Sequence, residues 1–288
     1  MQILRAIMIG DIVGDPGLEV LENRLPHLIK EYAVDFVVVN GENAAAGFGL
    51  DDPAFRRILA AGADVVTGGN HIWEKREFWP VLNSDKRVLR PLNYPSEESV
   101  ESAGRGWVKL EKPAPWAEDS GRESLIPWLV VNLQGREFMT PLDCPFKTFD
   151  NLEANLNNPD TFADELSKEN PVILVDFHAE SSREKEALAY YLDGRAGVVA
   201  GTHTHVQTAD ERILPNGTAY ITDLGMCGVQ DGIIGMDTKI CLDRARCQIL
   251  YRMEAAVPQD GRKTEIKGII VEFDAESRKA VSIRRISA

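Results

Sequence analysis

Five short apolar runs each end in a polar loop, and this pattern constrains the fold more than any other feature. The runs are 3–9, 35–39, 64–67, 171–177 and 197–200. After the first four, apolar residues recur at helical spacing, predicting helices over 18–33, near 52–61, near 73–83 and near 182–192. Strands of this kind alternating with helices imply a parallel sheet at the core, with helices on its faces. The expected class is therefore α/β.

The rest of the chain adds detail. Leu18, Leu21, Leu25, Leu28, Ile29 and Tyr32 define the buried stripe of the first helix, and Pro26 within it should kink or split it. His27, beside that proline, reads as a surface or boundary residue. Residues 84–146 are irregular, with a strand expected at 128–133, and form an irregular subdomain or inserted loops within a single domain of 1–288. The pocket walls are expected to come from this stretch. Residues 147–169 read as helical. The strand-like runs at 218–222, 248–252, 267–273 and 280–284, without a comparable helix among them, suggest an antiparallel finish.

Composition excludes several classes of function. The net charge of −13 argues against an extended nucleic-acid groove, which needs a basic face. No apolar run approaches the length of a membrane span. The N-terminal residues run straight into a strand, so no secretory signal is expected, and the four cysteines form no Cys-x-x-Cys pair. Free thiols in a reducing cytoplasm are expected.

The loops after the strands carry the chemistry. Asp11, Glu42 with Asn43, Asn70 with His71, His178, and His203 with His205 each follow an apolar strand directly. In an open α/β sheet, ligands sit at the carboxyl ends of the strands. In an extended segment, His203 and His205 would place both rings on the same side of the chain. The donor set of Asp11, Glu42, Asn43, Asn70, His178, His203 and His205 mixes carboxylate, amide and imidazole. It suits Mn, Fe, Zn, Co or Ni. Seven ligands are too many for one tetrahedral zinc but suit two metals about 3.5–4 Å apart, with Glu42 as the better bridge. Two carboxylates, two divalent ions and one hydroxide leave a core of about +1, which attracts a phosphate despite the acidic chain. The metals would acidify a bound water and stabilise charge on the phosphoryl oxygens. His71 cannot easily face the same metal as its neighbour Asn70. It is the candidate general acid.

These residues resemble the calcineurin-like metallophosphoesterases, whose blocks run Asp-x-His, Gly-Asp, Gly-Asn-His, a lone His and Gly-His-x-His. Gly69-Asn70-His71 matches fully, His178 fits the lone histidine, and Gly201-Thr202-His203-Thr204-His205 fits the last block with one extra residue. Two departures stand out: Val13 replaces the histidine of Asp-x-His, and Glu42 stands where the bridging aspartate is expected. Both resemble the YmdB-like branch, and that resemblance extends through Val131-Asn132-Leu133-Gln134-Gly135-Arg136 and Asp223-Leu224-Gly225-Met226.

The resemblance implies a sandwich of two mixed β-sheets flanked by helices, with a dinuclear site. Asp11, Glu42, Asn43 and His205 would hold one metal, and Glu42, Asn70, His178 and His203 the other. His71 would be catalytic. Iron or manganese, phosphodiesterase activity on 2′,3′- or 3′,5′-cyclic nucleotides, and a homodimer or homotetramer are implied in the same way. So is a link to bacterial regulation of RNA and of multicellular behaviour.

Plainer roles compete with some of these assignments. Asp11 could end a strand and cap the next helix. Asn43 could simply form a turn. Asp15 and Glu180 read as solvated or supporting residues, and Asp176 or Asp223 could orient a ligand histidine. Trp107, Trp116 and Trp128 could stack on a base, and Cys227 could line the pocket, although core packing suits all four. At the level of function, the alternative to a small-phosphoester hydrolase is a nucleotide-sensing regulatory protein with little turnover. Its motive is the missing histidine of the first block.

Overall fold

The computed structural model describes residues 1–95, 103–117, 124–156, 170–250, 252–258 and 263–288. Its core is two mixed sheets packed face to face. The first contains β1 (Ile3–Ile9), β3 (Phe36–Asn40), β4 (Val65–Thr67), β13 (Lys267–Asp274) and β14 (Ala280–Ser287), in the order β14-β13-β1-β3-β4. The second contains β5 (Trp107–Pro113), β6 (Leu125–Gln134), β7 (Val172–His178), β8 (Val198–Thr202), β9 (Arg212–Ile213) and β10 (Ala219–Ile221), in the order β5-β6-β7-β8-β10-β9. A small third sheet joins β2 (Asp11–Ile12), β11 (Met226–Val229) and β12 (Thr264–Glu265).

Two-residue periodicity builds the layers. Leu4, Ala6 and Met8 of β1 point into the space between the sheets, with Phe36 and Val38 of β3 and Trp128 and Val130 of β6. Their neighbours Ile7, Ile9, Val37 and Val39 point the other way, onto α1 (Gly14–Tyr32) and α2 (Asp52–Ala60). On the far side, Leu129, Val131, Val175 and Phe177 pack beneath α4 (Pro145–Leu156) and α5 (Ser182–Tyr191). Strands buried on both faces read as continuous apolar runs, which is why they stand out in the sequence. Trp128 stacks on Phe36, with ring centroids 4.9 Å apart, at the centre of the sandwich.

The main strands and the antiparallel pairing of β13 with β14 match expectation. β13 also pairs antiparallel with β1, and β10, expected in the antiparallel finish, instead runs parallel to β8. Several details differ. Pro26 does not split α1, which is continuous from Gly14 to Tyr32. The proline lies on the exposed side, where water can satisfy the carbonyl that loses its helical partner. The expected helix at 73–83 is a 3₁₀ turn, Arg76–Phe78, followed by the short α3 (Trp79–Ser84). The expected strand at 248–252 does not form: 248–250 are irregular, and 251 lies outside the described residues. A helix precedes it instead, α6 (Thr238–Cys247), capped by Asp237 accepting from the Ile240 N–H and ended by Gln248 at φ 57°. Of the residues expected to be helical, 157–169 lie outside the described residues.

Candidate metal centre

The parallel strands of both sheets deliver the site at one edge. Glu42 follows β3, Asn70 and His71 follow β4, His178 ends β7, and His203 follows β8. His178 and Thr202 are register partners, side by side on adjacent strands. Asp11 lies in β2, just past β1. The strand ends of the first sheet, with Asp11 just past β1, thus bring Asp11, Glu42, Asn43, Asn70 and His71, and those of the second bring His178, His203 and His205.

Four donors converge on one point. The Nε2 atom of His178 lies 2.9 Å from Glu42 Oε1, 3.1 Å from Asn70 Oδ1 and 3.0 Å from His203 Nδ1. The ligand atoms of Glu42, His178 and His203 all lie within 4.8 Å of one another, a set able to hold a metal ion. Gly69 makes this approach possible, because a Cβ there would sit 2.3 Å from Glu42 Oε2 and 2.4 Å from His178 Nε2.

A second group lies alongside. Asp11 is fully buried, its Oδ2 accepts the His203 N–H at 3.2 Å, and its Oδ1 lies 3.8 Å from His205 Nε2 without a hydrogen-bond partner. Asn43 Nδ2 donates to the Gly47 carbonyl at 3.1 Å, while its buried Oδ1 has no partner. Orphaned buried oxygens are costly unless something positive meets them. Hard oxygens beside imidazole nitrogens suit a first-row divalent metal. Asp11 does not cap α1, whose N-cap is Val13 with no side-chain bond. Asn43 does brace its turn, yet leaves one oxygen free.

The His-x-His segment is not extended. β8 ends at Thr202, and His203 and His205 adopt φ of 97° and 65°. This left-handed backbone costs of order 1–3 kcal/mol per residue and turns the two rings apart. His203 joins His178 and Glu42, whereas His205 faces Asp11 and holds its Nδ1 2.9 Å from the Ile234 carbonyl. The expectation of both rings on the same side of an extended chain is therefore corrected.

Supporting contacts fix the rings. His178 Nδ1 lies 3.0 Å from Thr202 Oγ1, and that hydroxyl donates to Asp176 Oδ1 at 2.7 Å. A proton held on Nδ1 leaves the Nε2 lone pair facing Glu42 and Asn70. Asp176 Oδ2 accepts from Thr67 Oγ1 and from Asn40 Nδ2, while Asn40 Oδ1 accepts the Glu42 N–H. One buried carboxylate thereby braces the ends of β3, β4 and β8. Asp223 does not orient a ring. It accepts from buried Lys185 Nζ at 2.7 Å and from the Thr204 hydroxyl at 2.7 Å, pinning the loop between the two histidines. Glu180 Oε2 lies 3.2 Å from His203 Nε2, and exposed Asp15 pairs instead with Arg57.

The electrostatics show what a bare cluster must do. Burial raises Asp11 to about 6, against the pull of His205 and His178. Burial also raises Glu42, but His178 and His71 outweigh it and hold the carboxyl at about 2. Burial lowers His178, but Glu42 and Asp11 outweigh it and lift the imidazolium to about 9. Burial and the His178 charge push His203 down to about 3. Without a metal, a proton on His178 compensates Glu42; a divalent cation would displace it.

His71 stands apart from the four convergent donors. Its N–H donates to Glu42 Oε2 at 3.0 Å, its Nδ1 lies 3.3 Å from Glu74 Oε1, and its ring meets Phe48 edge-on. It lines a cleft of about 830 Å³ with Glu42, Asn43, His203 and His205. The outer walls come from Phe48, Lys75, Ile234, Met236, Arg244, Arg252 and Met253, so no described residue of 84–146 contributes. Nothing in the pattern of 234–253 marks it as a pocket wall, because it carries no apolar strand ending in a polar loop. Trp128 is core, while Trp107 and Trp116 pack against core clusters. Cys227 is buried in the first sheet's helix layer, donating to the Lys267 carbonyl.

A helix-flanked sandwich of two mixed sheets, with a cluster able to hold a metal ion at the strand ends, is the architecture of the metallophosphoesterase class. The chain belongs to the YmdB-like protein family, which matches residues 7–286. It is 42% identical over 283 residues to a 2′,3′-cyclic-nucleotide 2′-phosphodiesterase of Bacillus subtilis (strain 168), covering 98% of this chain and 96% of that one. The crystal structure of a novel phosphatase from Mycoplasma pneumoniae superposes with a TM-score of 0.84 at 29% identity, covering 100% of this chain and 94% of the other. The calcineurin-like phosphoesterase YfkN of Bacillus subtilis shares the fold, with a TM-score of 0.57 at 11% identity over 99% of this chain and 90% of that one. Among the described residues, no helix is long and apolar enough to cross a membrane.

Proposed function

We propose that the protein is a phosphodiesterase that hydrolyses nucleoside 2′,3′-cyclic phosphates at a two-metal centre. The observation that carries this reading is the paired donor set. Glu42, Asn70, His178 and His203 converge on one point, while Asp11 holds an unpartnered oxygen 3.8 Å from His205 Nε2, and Asn43, which lines the same cleft, holds another. Glu42 Oε1 faces His178 Nε2, and its Oε2 accepts the His71 backbone N–H; as a carboxylate it is the donor suited to bridge two ions. Iron or manganese suits these donors, with zinc, cobalt and nickel also compatible. Bound metals supply Lewis acidity toward water and toward the phosphoryl oxygens.

The chain's own residues do the rest. The ligand loops hold the phosphate in the cleft, and His71 stands at its wall. Water adds to phosphorus and gives up a proton to solvent, the bond from phosphorus to O2′ breaks, and protonated His71 delivers its proton to the departing O2′, to be reprotonated from solvent afterwards. The product is a nucleoside 3′-phosphate, in keeping with the Bacillus relative's name. Extension to 3′,5′-cyclic nucleotides belongs to the same proposal, as do a cytoplasmic location and a homodimeric or homotetrameric state.

The test is metal analysis of the purified protein combined with turnover of cyclic nucleotides. The His71→Ala variant should retain the wild-type metal content and lose about 10²-fold or more in kcat. Metal-loaded protein with no turnover on any phosphodiester would overturn the reading. Tight nucleotide binding without turnover would instead favour a sensing role, for which Val13 in place of a histidine is the motive.

A further inference from the structure

The cleft is larger and more cationic than the scissile phosphate requires. Beyond the metal-ligand loops, its charged lining is Glu74, Lys75, Arg244 and Arg252. Glu74 lies against His71 Nδ1. Lys75 and Arg252 have no ion-pair partner among the described residues, in a chain whose net charge is −13. Many of its other cations are paired. Arg57 pairs with Asp15 and Glu22, and Arg195 with Asp150 and Glu153. Unpaired cations facing a concave surface attract an anion and cost little to leave solvated. The phosphate under attack needs neither of them, because the metal-ligand loops at the floor of the cleft would hold it. The same cleft is lined by Phe48, Ile234, Met236 and Met253. This wall is apolar and soft, suited to the face of a base and poor at distinguishing one base from another.

We infer that Lys75 and Arg252 form a second anion subsite, so that the preferred substrate carries a further phosphate besides the cyclic one. A nucleotide with its cyclic phosphate at the metals and its base on the Phe48–Met253 wall has one remaining position for such a group, the 5′ oxygen. The substrate class is thus a 5′-phosphorylated nucleoside 2′,3′-cyclic phosphate, whether free or at the end of a longer strand. This inference rests on the reading of the metal centre given above.

The test reads binding rather than turnover. Adenosine 3′,5′-bisphosphate and adenosine 3′-monophosphate are titrated calorimetrically into the manganese-loaded protein. The bisphosphate should bind about tenfold more tightly, the return expected of one charge-assisted contact. In a Lys75→Gln/Arg252→Gln double variant, the ratio of the two affinities should fall toward one. Equal affinities in the wild type, a ratio unchanged in the variant, or no binding of either probe would each overturn the subsite. Hydrolysis of adenosine 2′,3′-cyclic phosphate, measured in parallel, reports separately on the phosphodiesterase reading. A longer cyclic-phosphate oligonucleotide distinguishes a free substrate from a strand end.

Discussion

At the scale of single residues, the site depends on groups that would never touch a substrate. Thr202 is one of these. Its hydroxyl lies 3.0 Å from His178 Nδ1 and donates to Asp176, so it fixes the ring and its proton together. Replacing it with valine keeps the shape and removes the link. Thr202→Val should weaken metal binding about 10–100-fold, as loss of a ligand's supporting partner typically does. Competition against a chelator checks this, and Thr202→Ser should restore most of the affinity. Unchanged affinity in Thr202→Val would mean that strand register alone holds the ring. The sequence showed the histidines but not this link. Thr202 reads there as an ordinary strand residue, and its role emerges only from the pairing of β7 with β8.

At the scale of elements, legibility follows burial. β1, β3, β7 and β8 stand out because both of their faces are covered, and the ligand loops are legible because they follow those strands. α6 does not stand out. Of its residues only Cys241 is buried, and Leu242 is 49% exposed, so it carries no apolar stripe. The run after it resembles a strand only because Ile249 and Leu250 are apolar, and both are exposed. The turn of His203 and His205 was hidden for a different reason. Strand periodicity stops at Thr202, and what bends the segment is a contact distant in sequence: Asp223 bonded to Thr204 and Lys185. Lys185 and Asp223 are 1% and 0% exposed, so breaking the pair strands a buried charge. Lys185→Met should cost about 3–5 kcal/mol of stability, read from denaturant midpoints. Lys185→Met combined with Asp223→Leu should recover part of that loss yet still bind metal poorly, because Thr204 has lost its anchor. Wild-type metal content in the double variant would sink this account of the loop.

At the scale of the whole molecule, the proposed metal centre would also act as a clamp. Asp11, Glu42, Asn43 and Asn70 belong to the side of the first sheet, and His178, His203 and His205 to that of the second. The sheets share an apolar interface around Trp128 and Phe36, which holds them together independently of the ligand edge. The ligand edge differs, because it gathers buried carboxylates whose compensation in the bare protein is a proton on His178. Metal bound only by the folded chain adds stability in proportion to the logarithm of its concentration over Kd. At a hundredfold excess over Kd this is about 2.7 kcal/mol. For a domain of this size that corresponds to about 5–10 °C in the melting midpoint. Chelation should therefore lower the thermal midpoint by about that amount, and added manganese should restore it. In His203→Ala the response to manganese should shrink sharply, because the convergent set loses a ligand. In His71→Ala it should persist, because His71 is assigned to proton transfer rather than ligation. A response that vanished in His71→Ala, or that survived intact in His203→Ala, would reverse the roles assigned to the two histidines.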